Sequence, residues 1–225
     1  MDKSSSNLED LDSSFLSMVE SPLHYLHKAV LNHPFYEPLI NGTLKESKFA
    51  FFLGQQECTW YHFSKELLFL SKLNYPKCIN TIFAQSAHFA LMKAGDFSIL
   101  LGTLKLRTDQ AFIASHEYID FLSILAAKRL FLPLLTVILP RFWLTSQFGA
   151  RCLNLNTYGH LYKKFIEHCI SQNAEDQTLR IIRLLDALIQ TISEAEKAEI
   201  LQLFMDAALH ECELLNEANK HGNSS

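Results

Sequence analysis

From Phe49 onward, apolar side chains recur at Phe52, Leu53, Trp60, Phe63, Leu67, Leu68 and Phe69. This is helical spacing, and it is dense enough to bury more than one side of the helix. Similar recurrence predicts helices over about 11–32, 44–73, 78–94, 115–128, 131–150, 157–172, 176–192 and 194–219. Gly95 and Gly102 bracket a stretch, DFSILLGTLKLRTDQAF, that reads as less regular. The expected architecture is all-α, a bundle of seven or eight helices in one domain over about 11–219, with residues 1–10 and the 220–225 tail disordered or frayed.

The helix ends carry their own signals. Asn41-Gly42 suits a sharp reversal, because both residues tolerate left-handed backbone. Thr43 then reads as an N-cap, with Glu46 three residues on completing a capping box. Asn74-Tyr75-Pro76 ends the helix that follows. Pro133 lies near the entry of the 131–150 helix, and Pro140 marks a possible kink within it. Ser193, with Glu196 beside it, reads as the cap of the last helix.

Composition narrows the picture. The chain has 225 residues, 48% of them hydrophobic, which suits one compact core. Seven glycines and six prolines leave little material for the turns of a β-protein. The net charge of −4 and the absence of a basic stripe argue against nucleic acid as a partner. The five cysteines, at 58, 78, 152, 169 and 212, are odd in number and form no Cys-x-x-Cys pair, so a reduced, cytoplasmic setting is expected. The most lipid-like run, LFLPLLTVILPRFWL, is broken by Pro133, Pro140 and Arg141. It is shorter than the roughly 20 apolar residues a spanning helix needs. It reads as a buried core helix, and no membrane partner is expected.

Polar residues on apolar helices are the candidate chemistry. Gln55 and Gln56, Tyr118, Arg141 and Glu211 each fall on an inner face, with His62, Glu117 and His210 beside them. Most have a plain alternative: a solvated glutamine, a core tyrosine ring, a surface glutamate. Arg141 is harder to place in this way, since ILPRFWL surrounds it with apolar neighbours. A buried guanidinium is costly without a partner, so Arg141 either reaches water or meets a carboxylate. A metal pair on facing helices calls for Glu-x-x-His spacing. Glu57 and His62, His116-Glu117 and His210-Glu211 have the wrong offsets, and His24 and His27 lack a matching carboxylate, so no metal or other cofactor is expected.

Taken in order, the motifs resemble the TenA family. HPFYEPLINGTLKESKFAFFLGQQ is similar to that family's opening His-Pro-Phe, Gly-Thr-Leu turn and Phe-x-x-Phe/Tyr-x-x-Gln-Asp helix. SHEYIDFL, LPRFWLTSQFG, LYKKFIEHCISQ and LFMDAALHECELLNEA resemble its later segments, over about 11–219. The resemblance implies a heme-oxygenase-like bundle, assembled as a homo-oligomer (dimer or tetramer), with a pocket for the aminopyrimidine of thiamin. In thiaminase II members a cysteine attacks the pyrimidine, while an Asp and a Glu hold its amino edge.

Carried over by position, that Asp falls on Gln56 and a pocket Tyr on Thr59. The nucleophilic Cys falls on Arg141 and the Tyr four residues later on Thr145. The Trp of the Trp-Ile helix falls on Phe165 and its Tyr on Cys169, while Tyr118 and Glu211 keep the family type. A guanidinium stays protonated and cannot act as a nucleophile. The expectation is a small-molecule pocket, for a pyrimidine or an anion, that has lost cysteine-dependent thiaminase chemistry. The alternative is an aminopyrimidine hydrolase with Glu211 as general acid/base, with Cys169 first and Cys212 second as substitute nucleophiles. Arg141 and Glu211 are expected to interact, directly or through one water, and to fill part of the pocket.

Overall fold

A computed structural model describes residues 13–105, 112–153, 162–170 and 172–221. The expected disorder of residues 1–10 lies outside these, as does most of the 220–225 tail. Every regular element among the described residues is helical: α1 Ser14–Met18, α2 Glu20–Leu26, a π-helical segment His27–Leu31, α3 Tyr36–Asn41, α4 Glu46–Leu70, α5 Lys77–Thr103, α6 Ile113–Ala127, α7 Phe131–Cys152, α8 Lys163–Cys169, α9 Gln172–Ile189 and α10 Glu194–Lys220.

Four boundaries differ from the sequence reading, one of them between α8 and α9: α8 ends at Cys169, and Gln172, read as the end of that helix, begins α9, which stops at Ile189. The first predicted helix is divided into α1, α2 and the π-helical segment. The predicted turn before residue 44 contains α3, which ends at Gly42 in the left-handed region (φ 75°). The expected capping box at Thr43 does not form. The Thr43 and Leu44 amides instead donate to the Pro38 carbonyl, at 2.9 and 3.0 Å, which closes α3; α4 then begins after Lys45 without a side-chain cap. Residues 95–103, read as irregular, continue α5, because Phe97 and Leu100 prolong the buried stripe of Ile79, Phe83, Ala90 and Ala94. The cap at Ser193 is present, with Ser193 and Glu196 hydrogen-bonded reciprocally.

Helices α4, α6, α7 and α10 surround the interior: α10 packs on α4, α6 and α7, and α6 packs on both α4 and α7. Helix α5 lies along α4, and α8 bridges α5 and α7. One carboxylate ties three of these helices together. Glu217 on α10 accepts from the Ile113 and Ala114 amides at the start of α6 (3.0 and 3.3 Å) and from Gln55 Nε2 on α4 (2.5 Å). It thereby satisfies orphan donors of the α6 N-terminus, where a negative charge is favoured.

Helix α7 is the one described helix long and apolar enough to cross a membrane, and 72% of its apolar window is buried inside the protein. Pro140 sits inside it and cannot donate to the Thr136 carbonyl. Gly149, near its end, lies directly against the end of α8. A β-carbon there would collide with the Cys169 carbonyl oxygen and come within 3.2 Å of its carbon.

Candidate functional site

The bundle holds a partly open cavity of about 60 Å³ where α4, α5, α7, α8 and α10 meet. Its polar lining consists of Gln56, Lys93, Arg141, Thr145, Cys169, Glu211 and Tyr36. Phe97, Phe148, Phe165 and Trp60 supply aromatic walls.

Arg141 organises one side. It is 2% exposed. Its Nη1 donates to both Glu211 oxygens, at 3.2 and 3.1 Å, and its Nη2 donates to Gln56 Oε1 at 2.9 Å. The guanidinium carbon lies 4.4 Å from the centre of the Trp60 ring, so a cation–π contact adds to the pairing. Two expected site residues on α4 and α10 are thus joined through a third on α7. Arg141 Nε is buried without a partner among the described residues.

Lys93 and Cys169 are on the lining contributed by α5 and α8. Lys93 is 4% exposed, and its Nζ donates to the His168 carbonyl at 2.6 Å. Burial lowers its pKa, while Cys169 and Asp96 act the other way. Burial pushes the Cys169 thiol up to about 12 against the opposing charge of Lys93. Cys152, buried behind it, is also raised to about 12 by burial. Tyr36 is held well above the ordinary phenol value, first by burial and then by the Glu211 charge.

The remaining predicted residues are divided. Thr145 lines the cavity and returns its hydroxyl to the Arg141 carbonyl at 2.8 Å. Thr59 is fully buried and donates to the Gln55 carbonyl at 2.8 Å; it is not among the cavity's lining residues. Tyr118 is also fully buried and outside the lining, its ring stacked on His210 with centroids 5.0 Å apart. Burial and then Glu211 raise its pKa, so it remains a phenol. Cys212 is partly buried on α10 and does not line the cavity.

Sequence reasoning missed Lys93 and Tyr36. The signal for Lys93 was its register: it falls on the stripe of Ser86, Ala90, Phe97 and Leu100. Among the described residues no cluster of three or more His, Cys, Asp or Glu is placed to hold a metal ion.

An all-α bundle with a buried polar cavity of this kind defines the class. The TENA/THI-4/PQQC family model matches residues 105–220, more than half of the chain, and the chain belongs to that family. A TenA homologue from Pyrococcus furiosus superposes with a TM-score of 0.78 at 20% identity, covering 91% of this chain and 99% of that one. A TenA family transcription regulator from Silicibacter sp. TM1040 gives 0.79 at 17% identity, covering 92% of this chain and 96% of that one. These likenesses are of fold. The thiamine biosynthesis multifunctional protein ThiED of Corynebacterium glutamicum is 23% identical over 191 residues, 84% of this chain. The chain spans 24% of that relative's length.

Proposed function

We propose that this protein keeps the family's fold and a small-molecule pocket but does not carry out cysteine-dependent thiaminase chemistry. The observation that supports this reading is the state of Arg141, which stands where the resemblance puts the nucleophile. It is buried, bonded to Glu211 and Gln56, and stacked on Trp60. A permanently charged guanidinium cannot attack a pyrimidine. Cys169 lines the same cavity, but a thiol raised to about 12 is protonated near neutral pH and is a poor nucleophile.

The second reading, an aminopyrimidine hydrolase, is favoured by Glu211, a buried carboxylate on the cavity wall. It is weakened by the engagement of both carboxylate oxygens by Arg141. The curated relative is named for thiamine biosynthesis, so thiamin and aminopyrimidines are the substrates to test. The assay is hydrolysis by wild type and by Glu211→Gln. The binding-protein reading expects no turnover by either. Turnover that Glu211→Gln abolishes would establish the hydrolase instead.

A homo-oligomer belongs to the same proposal. It is supported by the outer face of α5, where Leu91, Met92 and Ile99 are 53%, 47% and 69% exposed, with the partly exposed Asp96 beside them paired to His168. Light scattering gives the subunit count.

A further inference from the structure

Three charged side chains line the cavity: Lys93, Arg141 and Glu211. Arg141 and Glu211 compensate each other at 3.1 Å, which leaves Lys93 as the unmatched charge. Among the described residues no carboxylate lies within ion-pair distance of Lys93. Asp96, one turn away on the same helix, is instead 3.6 Å from His168 Nδ1. Lys93 Nζ donates to one neutral carbonyl, that of His168, and lies 5.6 Å from the centre of the Phe89 ring, while an ammonium has three protons to donate. Arg141 adds a further buried donor without a partner among the described residues, its Nε.

Buried charges are normally paired, because desolvating an ammonium alone costs several kcal/mol. Among the described residues the opposite charge of Asp96 favours the ammonium without reaching ion-pair distance, and space for a closer counter-charge is present. A volume of about 60 Å³ is several times what one water needs and is small for a large ligand. The hydrogen-bonding edge that would take an aminopyrimidine, Gln56 with Glu211, is already occupied by Arg141. Of the neutral polar groups on the lining, Tyr36 is a protonated phenol that suits an oxygen ligand, whereas the Thr145 proton is given to the Arg141 carbonyl.

We propose that this cavity binds a small monovalent carboxylate, of formate or acetate size, as the counter-charge of Lys93. The proposal rests on the pocket-without-thiaminase reading and names its ligand class. The aromatic walls at Phe97 and Phe148 accommodate the carboxylate's apolar end, and the lysine holds its oxygens.

The test measures binding rather than turnover, so it is independent of the hydrolysis assay. Thermal unfolding and titration calorimetry are run with sodium acetate and sodium formate, with acetamide and formamide as neutral isosteres and sodium chloride at matched ionic strength. The carboxylates should raise the wild-type melting temperature saturably, and the amides and chloride should not. Lys93→Gln should weaken acetate binding at least about tenfold, the loss expected for removing a charged hydrogen bond. Equal shifts by acetate and acetamide would overturn the proposal, showing a neutral, water-filled cavity. Equal shifts by acetate and chloride would overturn it as general salt stabilisation. Unchanged acetate affinity in folded Lys93→Gln would also overturn it. Should Lys93→Gln not fold, the wild-type comparison of acetate with acetamide decides alone. Thiamin turnover alongside specific acetate binding would reject the functional reading and leave the carboxylate site standing.

Discussion

A single nitrogen of Arg141, Nη1, reaches both carboxylate oxygens of Glu211, at 3.2 and 3.1 Å, leaving Nη2 for Gln56. This is a forked contact from one donor, not the parallel two-donor pairing that arginine makes at its strongest. Both side chains are buried. Removing one partner strands the other's charge, so Arg141→Met or Glu211→Leu alone should each cost about 3–5 kcal/mol. The double variant should recover much of that loss. Urea unfolding of the four proteins forms the cycle, and single variants within about 1 kcal/mol of wild type would show a pair behaving as if solvated.

His33 should make the fold sensitive to acid. Its Nδ1 accepts from the Phe35 amide at 3.2 Å, so the ring proton sits on Nε2, facing Asn216 Oδ1 at 3.2 Å. Burial lowers its pKa below the ordinary value. The unfolded chain therefore takes up the proton first as pH falls. Stability is full above the unfolded value of about 6.5 and is lost as pH drops through the lower folded value. His62 and His210 are shifted the same way, so His33→Gln should flatten only part of the decline. Urea midpoints measured between about pH 7.5 and 5 test the slope.

Gly149→Ala should destabilise the protein by about 1–3 kcal/mol, the cost of overpacking a filled interior. The obstruction is the Cys169 backbone, which cannot rotate away as a side-chain tip could. Thermal unfolding checks the loss. An unchanged melting temperature would mean that α8 can withdraw from α7 at no cost.

The thiols should separate in reactivity. Cys78 is exposed, whereas Cys152 and Cys169 are buried with thiols raised to about 12. A disulfide reagent near neutral pH should label Cys78 quickly and leave Cys152 and Cys169 unmodified until urea unfolds the chain. Mass mapping of the labelled peptides identifies the order. Early labelling of Cys169 would restore it as a candidate nucleophile.

The helices legible in the sequence were those whose apolar stripe runs several turns, such as α4, α7 and α10. Helix α3 was not, because its six residues include Pro38 and end at Asn41-Gly42, a composition that also spells a turn. The Thr43 cap failed because the Pro38 carbonyl captures the amides on which a separate helix start would depend. Gly95 and Gly102 suggested a break in α5, yet each costs only about 1 kcal/mol in a helix, less than burying Phe97 and Leu100 returns. In the site, the meeting of Arg141 with Glu211 was readable, because an arginine among apolar neighbours needs a partner. Lys93 was passed over, since HFALMKAGDF presents it as an ordinary helix lysine. Its register on the stripe of Ala90, Phe97 and Leu100 was the local sign, and its burial is completed by α8, whose His168 carbonyl it meets.

The stacking of Arg141 on Trp60 gives the pocket an optical reporter. The chain has two tryptophans, Trp60 and Trp143, and a Trp143→Phe variant would leave a single indole beneath the guanidinium. A positive charge held 4.4 Å from the ring centre perturbs its excited state, so a molecule that pulls Arg141 even slightly towards the cavity should shift the emission wavelength. Fluorescence titration could then detect occupancy directly, without a substrate, a product or a labelled ligand.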